Sequence, residues 1–145
     1  MKAIETRTQV QAPPDKVWSI LTDLENYASW NPFITRARGE LLPGNKLEIH
    51  RTVPGGKPMI VHPTVTSIVP GRQLVWTEKT RIPRCFDVDH IFEVHPAGDN
   101  VSTLVQRKVF RGMLVPFVWS SLPQSTRITL EEINEALRAR AENNG

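Results

Sequence analysis

Apolar residues change their period along this chain, and each change marks an element. Residues 2–10 alternate loosely and end at Val10, which predicts a first strand. Pro13 and Pro14 stop it, because proline is tolerated in a first helical turn, where its missing N–H costs nothing, and Asp15 complements the positive end of a helix dipole. Val17, Ile20, Leu21 and Leu24 then follow the i, i+3, i+4, i+7 spacing of one buried helical stripe. Asp23 is placed to cap a second short turn through Tyr27 to Trp30, which Pro32 helps to end.

The period then becomes two. Leu47, Ile49, Arg51 and Val53 alternate with Lys46, Glu48, His50 and Thr52, and Pro54-Gly55-Gly56-Lys57-Pro58 reverses the chain into residues 59–69, predicting a hairpin. Pro70-Gly71-Arg72 turns it into residues 73–80, the Pro83 region into 85–95, and residues 95–100 into 101–110, which Gly112 closes. The last third reads differently: Trp119, Leu122, Thr126, Leu130, Ile133 and Leu137 form a helical seam. A helix over about 117–140 is on the order of 35 Å long at 1.5 Å per residue, with its regular part beginning near Pro123 and residues 113–122 as an irregular lead-in. The predicted order is one strand, two short helices, five or six antiparallel strands and a long helix, an α+β arrangement.

Composition narrows this picture. The 145 residues suit one domain with one core, and no stretch approaches the roughly 20 apolar residues of a membrane span. The first residues lack the apolar core of a secretory signal, and the single Cys85 forms no internal disulfide, so a cytoplasmic location is expected. The net charge of +3 is spread among interleaved acids and bases, with a local excess only at Arg107, Lys108 and Arg111, so nucleic-acid binding is not expected. His50, His62, His90 and His95 are spread over at least three strands and no H-E-x-x-H or C-x-x-C spacing occurs, so no metal is expected; no P-loop, dinucleotide fingerprint or G-x-S-x-G elbow appears, and no cofactor is expected.

Several segments in this order resemble the helix-grip, or SRPBCC, superfamily. It includes START lipid-transfer domains, polyketide cyclase/dehydrase proteins, plant pathogenesis-related ligand binders and activators of the Hsp90 ATPase. The residues that carry the likeness are Ala12-Pro13 through Val17-Trp18, Tyr27, Trp30-Asn31-Pro32-Phe33, Pro63-Thr64-Val65 and Pro70 through Trp76. They continue in His90-Ile91-Phe92, like the family's H-x-F strand, in Phe110 through Pro116, like its F-x-G-x-x-x-P passage, and in Leu130 to Arg138 with Asn134 and Leu137. The resemblance implies a curved antiparallel sheet wrapped around the long C-terminal helix, with a cavity between them for an apolar or amphipathic small molecule. Lys108 departs from the pattern, standing where related sequences often carry a Glu, so a role of that acid is not transferable.

On residues 85–95, Phe86, Val88, His90, Phe92 and Val94 share one face and Asp87, Asp89 and Glu93 the other, so His90 points inward. It is either a hydrogen-bonded core histidine or a ligand contact. Pairing around Pro83 sets Trp76 beside His90 and Glu78 beside Val88. Glu78 and Arg51 are then the charged groups nearest the interior, and an inward carboxylate with a raised pKa can serve as a general base, but both lie near strand ends, where exposure at the sheet rim is the simpler reading. On residues 101–110 alternation admits two inward sets, Leu104, Gln106 and Phe110 or Val101, Thr103, Val105 and Val109; the first is preferred. Trp30, Phe33, Trp76, Phe92, Phe117 and Trp119 supply more aromatic volume than close packing needs.

The leading expectation is a monomer or homodimer, without stable membrane insertion, that binds a hydrophobic or amphipathic small molecule. Trp30, Phe33, Trp76, Phe92, Phe110, Phe117 and Trp119 would line the site, with Arg51, His90 and Gln106 as its polar groups. One rival is a cyclase- or dehydratase-like enzyme in which His90, with Glu78 as a weaker candidate, moves a proton. The other is a protein-interaction module like the Hsp90 activators, which predicts a filled core and an exposed apolar patch.

Overall fold

The computed structural model describes residues 2–52, 55–79, 85–119 and 122–143, with the side chains of Val118 and Leu122 excepted. Strand β1 (Lys2–Val10) leads into helix α1 (Pro14–Thr22) and a 3-10 turn (Leu24–Ser29). Strands β2 (Ile34–Arg38), β3 (Glu48–Arg51), β4 (Met59–Val61), β5 (Thr64–Val69), β6 (Gln73–Lys79), β7 (Asp87–Pro96) and β8 (Ser102–Arg111) follow. Helices α2 (Val115–Val118) and α3 (Leu122–Asn143) close the order. Every strand pairing is antiparallel: a five-stranded sheet runs β1-β8-β7-β6-β5, and a three-stranded sheet runs β2-β3-β4.

Among the described residues seven strands follow the short helices, more than the five or six expected, and the excess has two causes. β2 escaped the period-two reading because a bulge between Ile34 and Arg36 breaks its alternation, leaving Ala37 as its one fully buried side chain. The segment 59–69 is two strands in different sheets, divided where Pro63 lacks an N–H for the ladder. The carbonyl of Pro63 accepts from Leu47 N at 2.8 Å, and an isolated Lys46–Thr64 bridge ties the two sheets there.

Pro14 occupies the first turn of α1, and Val17 and Leu21 are fully buried. Asp23 stands at the N-cap of the 3-10 turn, but its carboxylate accepts from the side-chain amide of Asn26 and caps no backbone N–H. α3, about 33 Å long at 1.5 Å per residue, starts one residue before Pro123, so the proline falls in its first turn. Leu130, Asn134, Leu137 and Ala141 on α3 are buried, and the main core joins Leu137 and Ala141 to Val17 and Leu21 of α1 and to Leu74, Phe92, Val94 and Leu104 of the sheet. A smaller cluster of Ile4, Phe110, Val115 and Leu130 fills the β8–α2 end, with Phe86 and Trp119 against it.

Charges on the outer face of the sheet are paired across strands. Arg107 donates to Glu5 at 2.8 and 3.0 Å, and Arg111 to Asp89 at 2.9 and 3.1 Å. Two members of the local basic excess are thus occupied by carboxylates, while Lys108 lies on the opposite face. No helix among the described residues is long and apolar enough to cross a membrane.

Candidate functional site

Between α3 and the inner face of the strands lies a hollow of about 590 Å³. β6, β7 and β8 put one inward row across its floor, because the register pairs Trp76 with His90 and His90 with Lys108. Phe92 neighbours that row, Tyr27, Trp30, Asn31 and Phe33 form the wall after α1, and Ser125, Thr126, Ile128, Thr129 and Ile133 of α3 form the roof. Asn31 shapes the wall locally: its Oδ1 accepts from the backbone N of Phe33 at 2.9 Å and of Ile34 at 3.1 Å, turning the chain so that Phe33 is buried.

The floor is held by a buried polar chain running across four elements. Gln106 Nε2 donates to Asn134 Oδ1 at 2.5 Å and to the carbonyl of Leu130 at 3.3 Å, which turns Gln106 Oε1 toward His90 Nε2 at 2.8 Å. Asn134 Nδ2 in turn donates to Thr6 Oγ1 at 2.9 Å. With an amide oxygen as its partner, Nε2 must carry the imidazole proton, so Nδ1 holds the lone pair. The ring stacks on Phe92 at 4.0 Å between centroids and meets Trp76 edge-on at 5.6 Å. His90 is therefore both hydrogen-bonded within the core and present on the wall of the hollow, two roles that the sequence posed as alternatives.

Burial is the main reason the His90 pKa lies well below its usual value, with the positive charges of Lys108 and then Arg51 adding to it while the Gln106 contact opposes. Lys108 is half-buried, and its pKa is also lowered, first by burial; the nearby Glu78 charge opposes and Arg51 adds to the shift. Arg51 and Glu78 are not left to solvent at the sheet rim, as their strand-end positions suggested. They form a two-point ion pair at 2.8 and 3.1 Å that spans from the small sheet to the large one, and both line the hollow. Strand-end position misled because the two sheets converge here, so each charge finds its partner across the gap.

The depressed His90 pKa has a thermodynamic consequence. Between the folded value and the ordinary 6.5, the unfolded chain binds a proton that the folded chain does not. Stability is then full above pH 6.5 and falls as the pH drops below it, by at most about 1.4 kcal/mol per pH unit. We expect the melting temperature to drop by several °C between about pH 7 and pH 5, at ~2–4 °C per kcal/mol, and the drop to be flattened in His90→Phe. Glu48, pushed down to about 2 by His50 and Arg38, loses its contribution only below its ordinary 4.5, outside this window. Equal pH profiles for parent and variant would refute the assignment.

Of the residues singled out from sequence, the structure gathers Trp30, Phe33, Arg51, Trp76, Glu78, His90 and Phe92 around the hollow. Gln106 lies beneath the floor and acts on it through His90. Phe110 and Trp119 pack on each other at 5.8 Å in the smaller cluster, and Phe117 is 79 % exposed, so these three do not line the hollow. Phe110 sits at the end of β8 in the cluster with Ile4 and Leu130, and Phe117 and Trp119 come after β8 has ended at Arg111, beyond the strand that floors the hollow. Lys108 and the α3 residues were missed as lining groups, although the inward set Leu104, Gln106, Phe110 already placed Lys108 on their face. Among the described residues no group of three or more His, Cys, Asp or Glu side chains converges on a metal-sized site.

A family model described as polyketide cyclase / dehydrase and lipid transport matches residues 1–142. Among solved structures, a START superfamily protein from Mycobacterium smegmatis superposes with a TM-score of 0.77 at 20% identity, covering 99% of each chain. The Zhui aromatase/cyclase from a Streptomyces species gives 0.71 at 20% identity, covering 99% of this chain and 94% of that one. A protein from Chromobacterium violaceum gives 0.74 at 15% identity, covering 97% and 96%. No curated protein matches. At these identities the structural likeness speaks for the helix-grip fold alone, and the sequence match carries the assignment: the chain belongs to the polyketide cyclase / dehydrase and lipid transport family, within the SRPBCC superfamily.

Proposed function

We propose that this protein binds a hydrophobic or amphipathic small molecule, lipid- or polyketide-like, between the five-stranded sheet and α3. The observation that carries the reading is the hollow itself: its size falls in the range of small-molecule sites, and its wall is mostly aromatic and aliphatic with a few fixed polar groups. Burying apolar ligand surface supplies roughly 25 cal/mol per Å² before ordering costs are subtracted. Trp30, Phe33, Trp76 and Phe92 serve as walls, and His90, fixed by Gln106, offers an orienting nitrogen. A protein-interaction module would fill its core, and a hollow of this size counts against that reading. The acid–base reading places the proton on His90, and the lowered basicity of that ring weakens it as a proton acceptor.

Fluorescence titration with Nile red, an uncharged dye, tests the proposal. Saturable binding of one dye per chain is expected, weakened ~10-fold or more in Ile133→Trp, whose larger side chain projects from α3 into the space the dye needs. No binding to the parent, or undiminished binding to a folded Ile133→Trp, would count against the hollow as the site.

A further inference from the structure

The charged groups that line the hollow do not balance. From β3 comes Arg51, from β6 Glu78 and from β8 Lys108, while β7 contributes the uncharged His90 and α3 contributes only hydroxyl and aliphatic side chains. Both carboxylate oxygens of Glu78 are taken by the Arg51 guanidinium at 2.8 and 3.1 Å, which makes that pair neutral as a unit. Lys108 is the remainder. It sits in the row beside His90, and among the described residues no carboxylate lies within 4.0 Å of its ammonium. A half-buried cation with no carboxylate of its own, on a wall that is mostly aromatic and aliphatic, is an unfavourable arrangement in the empty protein, as its lowered pKa reflects. Such an arrangement is relieved when an anion arrives.

Resting on the binding function above, we propose that the ligand carries an anionic, acceptor-rich head group, a carboxylate in the simplest form, seated against Lys108 beside the Arg51–Glu78 pair with its apolar body between Trp76, Phe92 and α3. Lys108 thereby selects the head, while the hollow accepts the tail. The specificity is asymmetric. An uncharged head loses a charge-assisted hydrogen bond, and a cationic head meets Lys108 directly.

The test uses decanoate and decanol, which share a chain and differ in the head, each displacing Nile red from the 145-residue protein at neutral pH. Decanoate is expected to bind ~10-fold or more tightly than decanol. The preference should vanish in Lys108→Met, which keeps the length and apolar stem of the side chain, and reverse in Lys108→Glu. Lys108→Met is expected to melt no lower than the parent, so the test does not depend on the charge-reversed variant folding. As a readout independent of substitution, the Lys108 ammonium followed by NMR should titrate at higher pH with decanoate bound. Failure of both compounds to displace the dye would overturn the hollow as an amphiphile site. Equal affinity for the two would overturn only the anionic head, as would a decanoate preference that survives Lys108→Met or an unmoved Lys108 titration.

Discussion

Gly112→Ala is expected to destabilise this protein by about 4 kcal/mol or more, a large share of the roughly 5–15 kcal/mol that holds an ordinary domain folded. Gly112 has φ +120°, and a Cβ there would stand 2.3 Å from the carbonyl oxygen and 2.5 Å from the carbonyl carbon of Cys85. Those atoms are backbone, and the Cys85 carbonyl is also fixed as acceptor for Leu114 N at 2.9 Å, so nothing flexible can give way. Gly71 is the control: its φ of +76° is also left-handed, but a Cβ there meets nothing within 4 Å, so Gly71→Ala should cost only ~1–2 kcal/mol. Urea denaturation of both variants separates backbone strain from collision. Similar losses at the two positions would mean that the approach of β8 to Cys85 is not a constraint.

Gln106→Leu should be nearly as damaging for a different reason. The substitution keeps the volume but strips the His90 Nε2–H of its acceptor and Asn134 Oδ1 of its donor, both in the fully buried interior. Each orphaned group costs ~1–3 kcal/mol, for a total of roughly 2–6 kcal/mol. Pairing it with His90→Phe removes one orphan, so the double variant should be more stable than the sum of the single losses predicts. Strict additivity in that cycle would mean that His90 and Gln106 are not energetically coupled. A cycle with Asn134→Leu extends the measurement along the chain toward Thr6.

The floor of the site was more legible than its roof. Alternation placed Phe86, Val88, His90, Phe92 and Val94 on one face, and the register expected between 73–80 and 85–95, which pairs Trp76 with His90 and Glu78 with Val88, is the one β6 and β7 adopt, although the turn at Pro83 lies outside the described residues. Alternation also offered Gln106 as an inward residue, and Gln106 is fully buried. It gave no hint of what Gln106 touches, because Asn134 lies a whole helix away in sequence, and a hydrogen-bond partner is a property of packing. Lys108 was concealed by its own chemistry. Polarity is the signal that marks a strand residue as outward, so a cation on the inner face reads as surface.

Phe110, Phe117 and Trp119 show the opposite error, since aromatic character marks burial without saying against what. Phe110 and Trp119 fill a separate cluster, and Phe117 lies open. Local patterning along the chain was enough for the order of elements from β5 to β8, the proline-led starts of α1 and α3, the inward face of β7 and, through motifs spread along the chain, the helix-grip family. Those are decided by local period, turn residues and fixed backbone angles, all of which act over a few neighbours. It took the packing of α3 and the two sheets to show that a hollow remains, that Arg51 and Glu78 neutralise each other across the sheets, and that among the described residues Lys108 has no carboxylate within 4.0 Å. Those depend on how far α3 stands from the sheet and on which charges meet across that gap, and both are distances between segments that periodicity does not encode.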